Sequence, residues 1–487
     1  MCMKKYLLIA MFFVVSCHLF AVQRPRLVVG IVVDQMRWDY LYRYTDRWTD
    51  GGFNRLMREG YNFENTHYNY IPTVTAAGHC VIYAGTTPAI TGIAGNNFYV
   101  NGKKTYCCED GKVHLVGVSG KGAGMSPSLS QVTSMCDQLR LATDFESKVI
   151  GVALKDRAAI LPAGHSANAA YWFDLSAKGF ITSSYYMNDL PEWVKTFNRS
   201  NRSKVTENLF SLPAGLELTT RMVMAAVDNE RLGQGNATDF LAVSYSPTDY
   251  VGHIYGTRGD KTDEIYVAID REINQLLRHL DQTVGKGNYL LFLTADHAAA
   301  HNAKYLNDHG IPAGRIDYAA LQKRLNEAGK EKFSTDNLVL DIIENRVYLN
   351  HRVIEAQKLS LRKVRNMMCE EILKDEHITY ALPFDKVETA TIPPAIKQRI
   401  IMGYHPKRSG DLQIIPQAGY TGAPYGQGTT HVAWNPYDTH VPFILYGWNI
   451  QPGKSLQPVS ITDIAPTICA FLHIQMPSGC TGEPRLW

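Results

Sequence analysis

Apolar, β-branched runs bounded by turn residues recur along the chain at Leu27 to Val33, Lys148 to Leu154, Phe240 to Tyr245, Tyr289 to Thr294 and Val441 to Tyr446. Their apolarity is continuous rather than alternating, which predicts strands covered on both faces, as in a parallel sheet. Between them lie helical patterns such as Phe53 to Glu59 and Asp263 to Leu280. The alternation predicts an α/β/α sandwich around a large central, mostly parallel sheet. Two segments break it: 158–235, which holds the aromatic cluster Tyr171, Trp172, Phe173, Phe180, Tyr185, Tyr186 and Trp193, and the charge-rich 302–410, with a hairpin-like stretch near Leu338 to Leu349. Both are expected as insertions capping one catalytic domain that spans 22–487.

Several strands run directly into polar residues: Val33 into Asp34, Tyr245 into Ser246 and Asp249, Thr294 into Asp296 and His297. Ligands of open α/β sheets bind beyond the carboxyl ends of strands, where these groups fall. Small residues after Pro72-Thr73-Val74 predict a helix starting at about Thr75. A hydroxyl there faces free backbone amides and the positive end of a helix dipole, although a Thr at that place also serves as a simple N-cap. Asp249 and His253 stand four apart, so a helical turn lets them converge, and Gly428-Thr429-Thr430-His431 adds a further imidazole with His440 nearby. Each pair alone reads equally well as a capped turn or a strand-end ion pair. Together they make a carboxylate and imidazole set suited to two Zn²⁺ ions.

The N-terminus bears on where such a site works. Lys4 and Lys5 precede the apolar run Tyr6 to Cys17, too short for a membrane span but suited to a signal peptide occupying 1–21. Val14-Val15-Ser16-Cys17 resembles a lipobox, with Cys17 as the lipid-bearing residue, while Leu19-Phe20-Ala21 offers a conventional cleavage site. The expectation is an exported protein, periplasmic or held as an outer-membrane lipoprotein, touching membrane only through Cys17. Of nine Cys, seven follow this leader without C-x-x-C spacing, so no thiolate metal site is expected, and Cys80 and Cys469 read as core. Lys plus Arg number 49 against 46 Asp plus Glu, and without Lys4 and Lys5 the excess falls to one. This balance gives no case for a nucleic-acid partner, and no protein partner is implied.

Taken in order and spacing, Val33-Asp34-Gln35-Met36-Arg37-Trp38-Asp39-Tyr40, Asn69 to Thr73, Gly95-Asn96-Asn97, Leu154-Lys155-Asp156-Arg157, Asp249 to His253, Ala295-Asp296-His297, Gly428 to Trp434 and Thr462 to Thr467 resemble the alkaline phosphatase superfamily. The likeness is to its exported flavobacterial-type members, relatives of nucleotide pyrophosphatase/phosphodiesterases. It implies one zinc on Asp249, His253 and His431, and a second on Asp34, Asp296 and His297, with the Thr75 oxygen between that metal and the substrate phosphorus. It also implies that Asn96, Lys155 and Arg157 contact phosphoryl oxygens, and that phosphate monoesters are hydrolysed through a phosphothreonine. Zinc lowers the pKa of an alcohol enough to make it a nucleophile. Lys155 and Arg157 match the charge of a monoester dianion better than that of a diester. Alone, the same pair reads as a helix-start ion pair with Asp156. A phosphodiesterase on the same scaffold and an inactive surface binding protein are the competing readings. Thr75 followed by Ala-Ala-Gly lacks the pattern of a sulfatase nucleophile, and no carboxylate set for a third metal stands out. Thr66, His67, Thr73, His79 and His165 read as packing or supporting residues.

Overall fold

The computed structural model describes residues 23–118 and 123–486. The leader, with Cys17, lies outside the described residues. Among those described, no helix is long and apolar enough to cross a membrane.

An eleven-stranded sheet forms the centre. Its core is five adjacent parallel strands, Tyr289–Thr294, Leu27–Val33, Asp239–Tyr245, Val149–Ala153 and Ala169–Asp174. Every residue of Leu27–Val33 is buried, with Ile31 opposite Val243 on one side and Leu293 on the other. Such a strand has neighbours at both edges and helices on both faces, which is why its sequence shows no alternation. The sheet as a whole is mixed. Phe443–Gly447 runs antiparallel to Tyr289–Thr294, and Gly179–Ser183 antiparallel to Ala169–Asp174. Uninterrupted apolarity reports burial of both faces, not strand direction, so the expected parallel neighbour is an antiparallel one.

The segment 158–235, expected as an insertion, instead supplies Ala169–Asp174 and Gly179–Ser183 to the central sheet. Tyr171, Trp172, Phe173 and Phe180 are core residues of these strands, in keeping with the fit of aromatics to a pleated surface. The segment 302–410 builds a second body together with a strand just beyond it. Val339–Ile343, Arg346–Leu349, Leu412–Pro416 and Ile378–Pro383 make a four-stranded sheet, backed by the helices Tyr318–Phe333 and Leu361–Ile372 around a separate apolar core. None of the seven described cysteines is paired in a disulfide, and Cys80 and Cys469 are buried.

Candidate metal and nucleophile centre

The carboxyl ends of the parallel strands deliver the acidic groups. Asp34 follows Val33 directly, Asp249 enters from the first turn of the helix Pro247–Tyr255, and Asp296 with His297 follows the strand Tyr289–Thr294. All four are buried. Two groups of ligand atoms gather within 4.8 Å of one another: Asp34, Asp296 and His297, and Asp249, His297 and His431. His297 thus lies in both, whereas the resemblance places it with Asp34 and Asp296 alone. His253 meets the cluster through Asp249, its Nε2 lying 3.2 Å from Oδ1 across one helical turn. The rings of His297 and His431 stack at 3.6 Å, and His431 stands 5.2 Å from the ring of His253.

The three imidazoles share one orientation. Nδ1 of His253 faces the Thr429 carbonyl at 2.9 Å, that of His431 the Thr73 carbonyl at 2.6 Å, and that of His297 the Ala298 carbonyl at 3.1 Å. Each Nδ1–H therefore donates to backbone, leaving Nε2 with a lone pair aimed into the cluster, the arrangement of metal-bound histidines. Burial and the neighbouring His297 and His253 hold His431 well below the usual histidine range, and burial likewise lowers His297. Neutral imidazoles are the form that binds a cation. Asp34 Oδ1, Asp296 Oδ2 and His297 Nε2 are buried without a hydrogen-bond partner. Their mutual distances are short: His297 Nε2 is 3.7 Å from Asp34 Oδ1 and 3.5 Å from Asp296 Oδ2. Such a set is costly unless something neutralises it, and a divalent cation with mixed N/O preference fits it.

Lys155 spans the two carboxylate groups. Its Nζ lies 2.6 Å from Asp34 Oδ2 and 2.6 Å from Asp249 Oδ2. Burial works against its charge, yet Asp249 and Asp34 more than offset this and push its pKa above the ordinary lysine value. Burial likewise opposes ionisation of Asp249, but Lys155 and His253 hold that carboxyl well below the usual range.

Thr75 is the first residue of the fully buried helix Thr75–Ala84, while Val74 takes the cap position without a side-chain capping bond. The hydroxyl is therefore not spent on capping, and it makes no hydrogen bond among the described residues. The helix presses against the Asp296-His297 loop: a Cβ on Gly78 would stand 2.1 Å from the Asp296 carbonyl oxygen. Asn96 Oδ1 accepts the Ala76 N–H at 2.9 Å, next to Thr75. Its own amide NH₂ has no protein partner among the described residues.

Arg157 lies apart from the carboxylates. Its guanidinium donates to Tyr106 Oη at 3.1 Å, and the Tyr106 hydroxyl donates to Asp156 at 2.6 Å. Arg157 itself stands 3.9 Å from Asp156, so the helix-start pairing is present, while its buried Nε is unpartnered. His440 is outside the cluster, stacked between Trp38 and His67. His165 pairs with Asp137.

Two supporting residues tie the site together, His79 in the supporting role expected of it and Gln35 in one the sequence did not single out. Gln35 donates its backbone N–H to Asp296 Oδ1 at 3.0 Å and its side-chain amide to Asp249 Oδ1 at 2.6 Å, tying both carboxylates together. It does so from a left-handed backbone, φ 64°, an uncommon conformation for a non-glycine residue. His79 places Nδ1 2.9 Å from the Thr75 carbonyl and 3.3 Å from Asp296 Oδ2, with Nε2 2.8 Å from Ser244 Oγ. The signals were adjacency to Asp34 for Gln35 and the i, i+4 spacing from Thr75 for His79.

Residues 28–438 match the type I phosphodiesterase / nucleotide pyrophosphatase family, and the chain belongs to that family. Among curated proteins it is 42% identical to alkaline phosphatase PafA of Elizabethkingia meningoseptica, covering 95% of this chain and 94% of that one. It is 41% identical to alkaline phosphatase PhoV of Synechococcus elongatus, covering 95% and 92%. The crystal structure of wild-type PafA superposes with a TM-score of 0.92 at 41% identity, over 96% of this chain and 99% of that chain. The resemblance to alkaline phosphatases and their phosphodiesterase relatives is thereby borne out.

Proposed function

We propose that this chain is a phosphomonoesterase of the alkaline phosphatase kind, with Thr75 as nucleophile and two zinc ions as cofactors. One observation carries the reading: buried, unpartnered donor atoms of Asp34, Asp296 and His297 converge beside a helix N-terminus that presents an unengaged hydroxyl. Asp34, Asp296 and His297 would hold one ion, and Asp249, His253 and His431 the other. When bound, the pair supplies Lewis acidity, lowering the pKa of a nearby alcohol or water and neutralising charge that builds on phosphoryl oxygens.

The protein's own groups account for the rest. The Thr75 hydroxyl gives its proton to solvent and Oγ attacks phosphorus as the ester P–O bond breaks; the leaving oxygen departs with the electron pair, takes a proton from water, and the chain becomes a phosphothreonine. Water then loses a proton to solvent and attacks phosphorus, the P–Oγ bond breaks with its electron pair on Oγ, and Oγ takes a proton from water to restore the hydroxyl as orthophosphate leaves. Each displacement inverts, so configuration at phosphorus is retained overall. The helix N-terminus favours the anion. Asn96 offers its free NH₂ to a phosphoryl oxygen, Lys155 a point charge beside it, and Arg157, held through Tyr106, a second cation. A monoester dianion uses both cations, whereas a diester monoanion leaves one unmatched.

The family also contains diesterases, so the test is comparative. Rate constants for p-nitrophenyl phosphate and its bis ester, with zinc measured on the same sample, should give a higher kcat/KM for the monoester. A faster diester would overturn the assignment in favour of a phosphodiesterase, and a zinc-free sample releasing no phosphate would favour a binding protein. Lys4, Lys5 and the apolar run before Cys17 support action outside the cytoplasmic membrane. Fatty-acid labelling lost in Cys17→Ala is expected of a lipoprotein, and labelling that survives would exclude that anchor.

A further inference from the structure

The hairpin of the capping body turns through Glu344 and Asn345, both left-handed at φ 52° and 63°. Two-residue turns of this kind favour Asn and Gly. Glutamate suits such a position poorly, and its side chain has a specific engagement there. Glu344 Oε1 accepts the Asn96 N–H at 2.9 Å. Its Oε2 lies 2.0 Å from where a Cβ on Gly95 would stand, so the carboxylate reaches the loop only because residue 95 has no side chain. Two residues on, the buried guanidinium of Arg346 donates to the Ala94 carbonyl at 2.7 Å, the Ile71 carbonyl at 2.8 Å and the Gly403 carbonyl at 2.7 Å. One hairpin thus grips the chain at Ala94 and Asn96, and also just ahead of Thr73. Asn96 in turn braces the first turn of the Thr75 helix through Ala76. Removal from water pushes the Glu344 carboxyl up to about 7, while the Asn96 N–H, Arg346 and Arg157 pull it back.

We infer that Glu344 is a positioning residue for phosphoryl binding: from the capping body it fixes the Asn96 backbone so that the Asn96 amide NH₂ meets the phosphoryl group beside Thr75. This rests on the reading of Asn96 as a phosphoryl contact. No proton or bond changes hands at Glu344; its effect passes through Asn96.

The experiment is a double-mutant cycle on the zinc-loaded full chain, with p-nitrophenyl phosphate as substrate and inorganic phosphate as inhibitor. Glu344→Ala should lower kcat/KM roughly tenfold, the scale of one lost hydrogen bond to a charged group, and weaken phosphate inhibition by a similar factor. In an Asn96→Ala background the same substitution should cost little more. Glu344→Gln, which keeps an acceptor for the Asn96 N–H, should restore most of the loss. Equal losses with and without Asn96, or Gln no better than Ala, would overturn the inference and leave Glu344 a structural residue. So would unchanged kinetics in a well-folded, zinc-replete Glu344→Ala. Failure of the underlying reading shows differently: Asn96→Ala alone would leave kcat/KM and phosphate inhibition intact.

Discussion

The rim of the parallel sheet and the docked edge of the capping body both face the candidate centre, but they are built differently. At the rim, Asp34, Asp249, Asp296 and His297 sit on or just beyond strand ends whose spacing the ladder fixes. At the edge, Asn96 is held by Glu344 and braces Ala76 across long sequence separations, with no regular element setting the distance. On the proposed reading, strand ends place groups that would share an ion, and a docked loop places a group that would only touch the substrate. The rim should therefore be rigid and costly to alter, the edge adjustable.

Replacing Thr75, the proposed nucleophile beside the rim, tests this most severely. Thr75→Ala should lower kcat by a factor on the order of 10⁴ and abolish acid-trapped phosphoenzyme, while Thr75→Ser keeps part of the rate; a normal burst in the Ala variant would remove Thr75 from the mechanism. Lys155→Met should reduce monoester turnover by about 10²-fold with a much smaller effect on a diester, which a paired assay resolves. Equal losses on both substrates would instead mark Lys155 as a brace for Asp34 and Asp249. Gly78→Ala should destabilise the fold by about 2 kcal/mol, read as a lower melting temperature, because the added methyl meets backbone rather than a yielding side chain.

Elsewhere on the capping body the effects shrink. Hydrogen bonding to Asp411 raises the pKa of His351, and Asp411 is held low despite its burial by His351 and Arg365. The stability from His351 is complete below about pH 6.5, its unfolded pKa, and is lost as pH rises through the higher folded value. The Asp411 share is lost only in acid. Half of the His351 side chain is exposed, so His351→Gln should change the melting difference between pH 6 and pH 9 by only a few tenths of a kcal/mol.

The same contrast explains what could be read from the chain beforehand. Buried parallel strands announce themselves by unbroken apolarity, and their polar terminators, Asp34 and Asp296-His297, follow immediately. Asp249 and His253 needed only one helical turn. The edge carried no such signal: Glu344 is an ordinary acid in a hairpin turn until folding sets it against Gly95, some 250 residues earlier. Tyr171 to Phe180 misled because aromatic clusters suit both a surface cap and a strand. His297 belonged to both ligand groups, a sharing that linear spacing cannot express.

The glycine at position 78 has a wider consequence. Main chain rests on main chain where the helix Thr75–Ala84 crosses the Asp296 loop at Gly78, so no side chain at that position serves as a shim between helix and loop. The spacing of helix and loop at that crossing is then closed to substitution, and any descendant of this enzyme that takes a bulkier or differently charged ester has to find its room elsewhere in the fold.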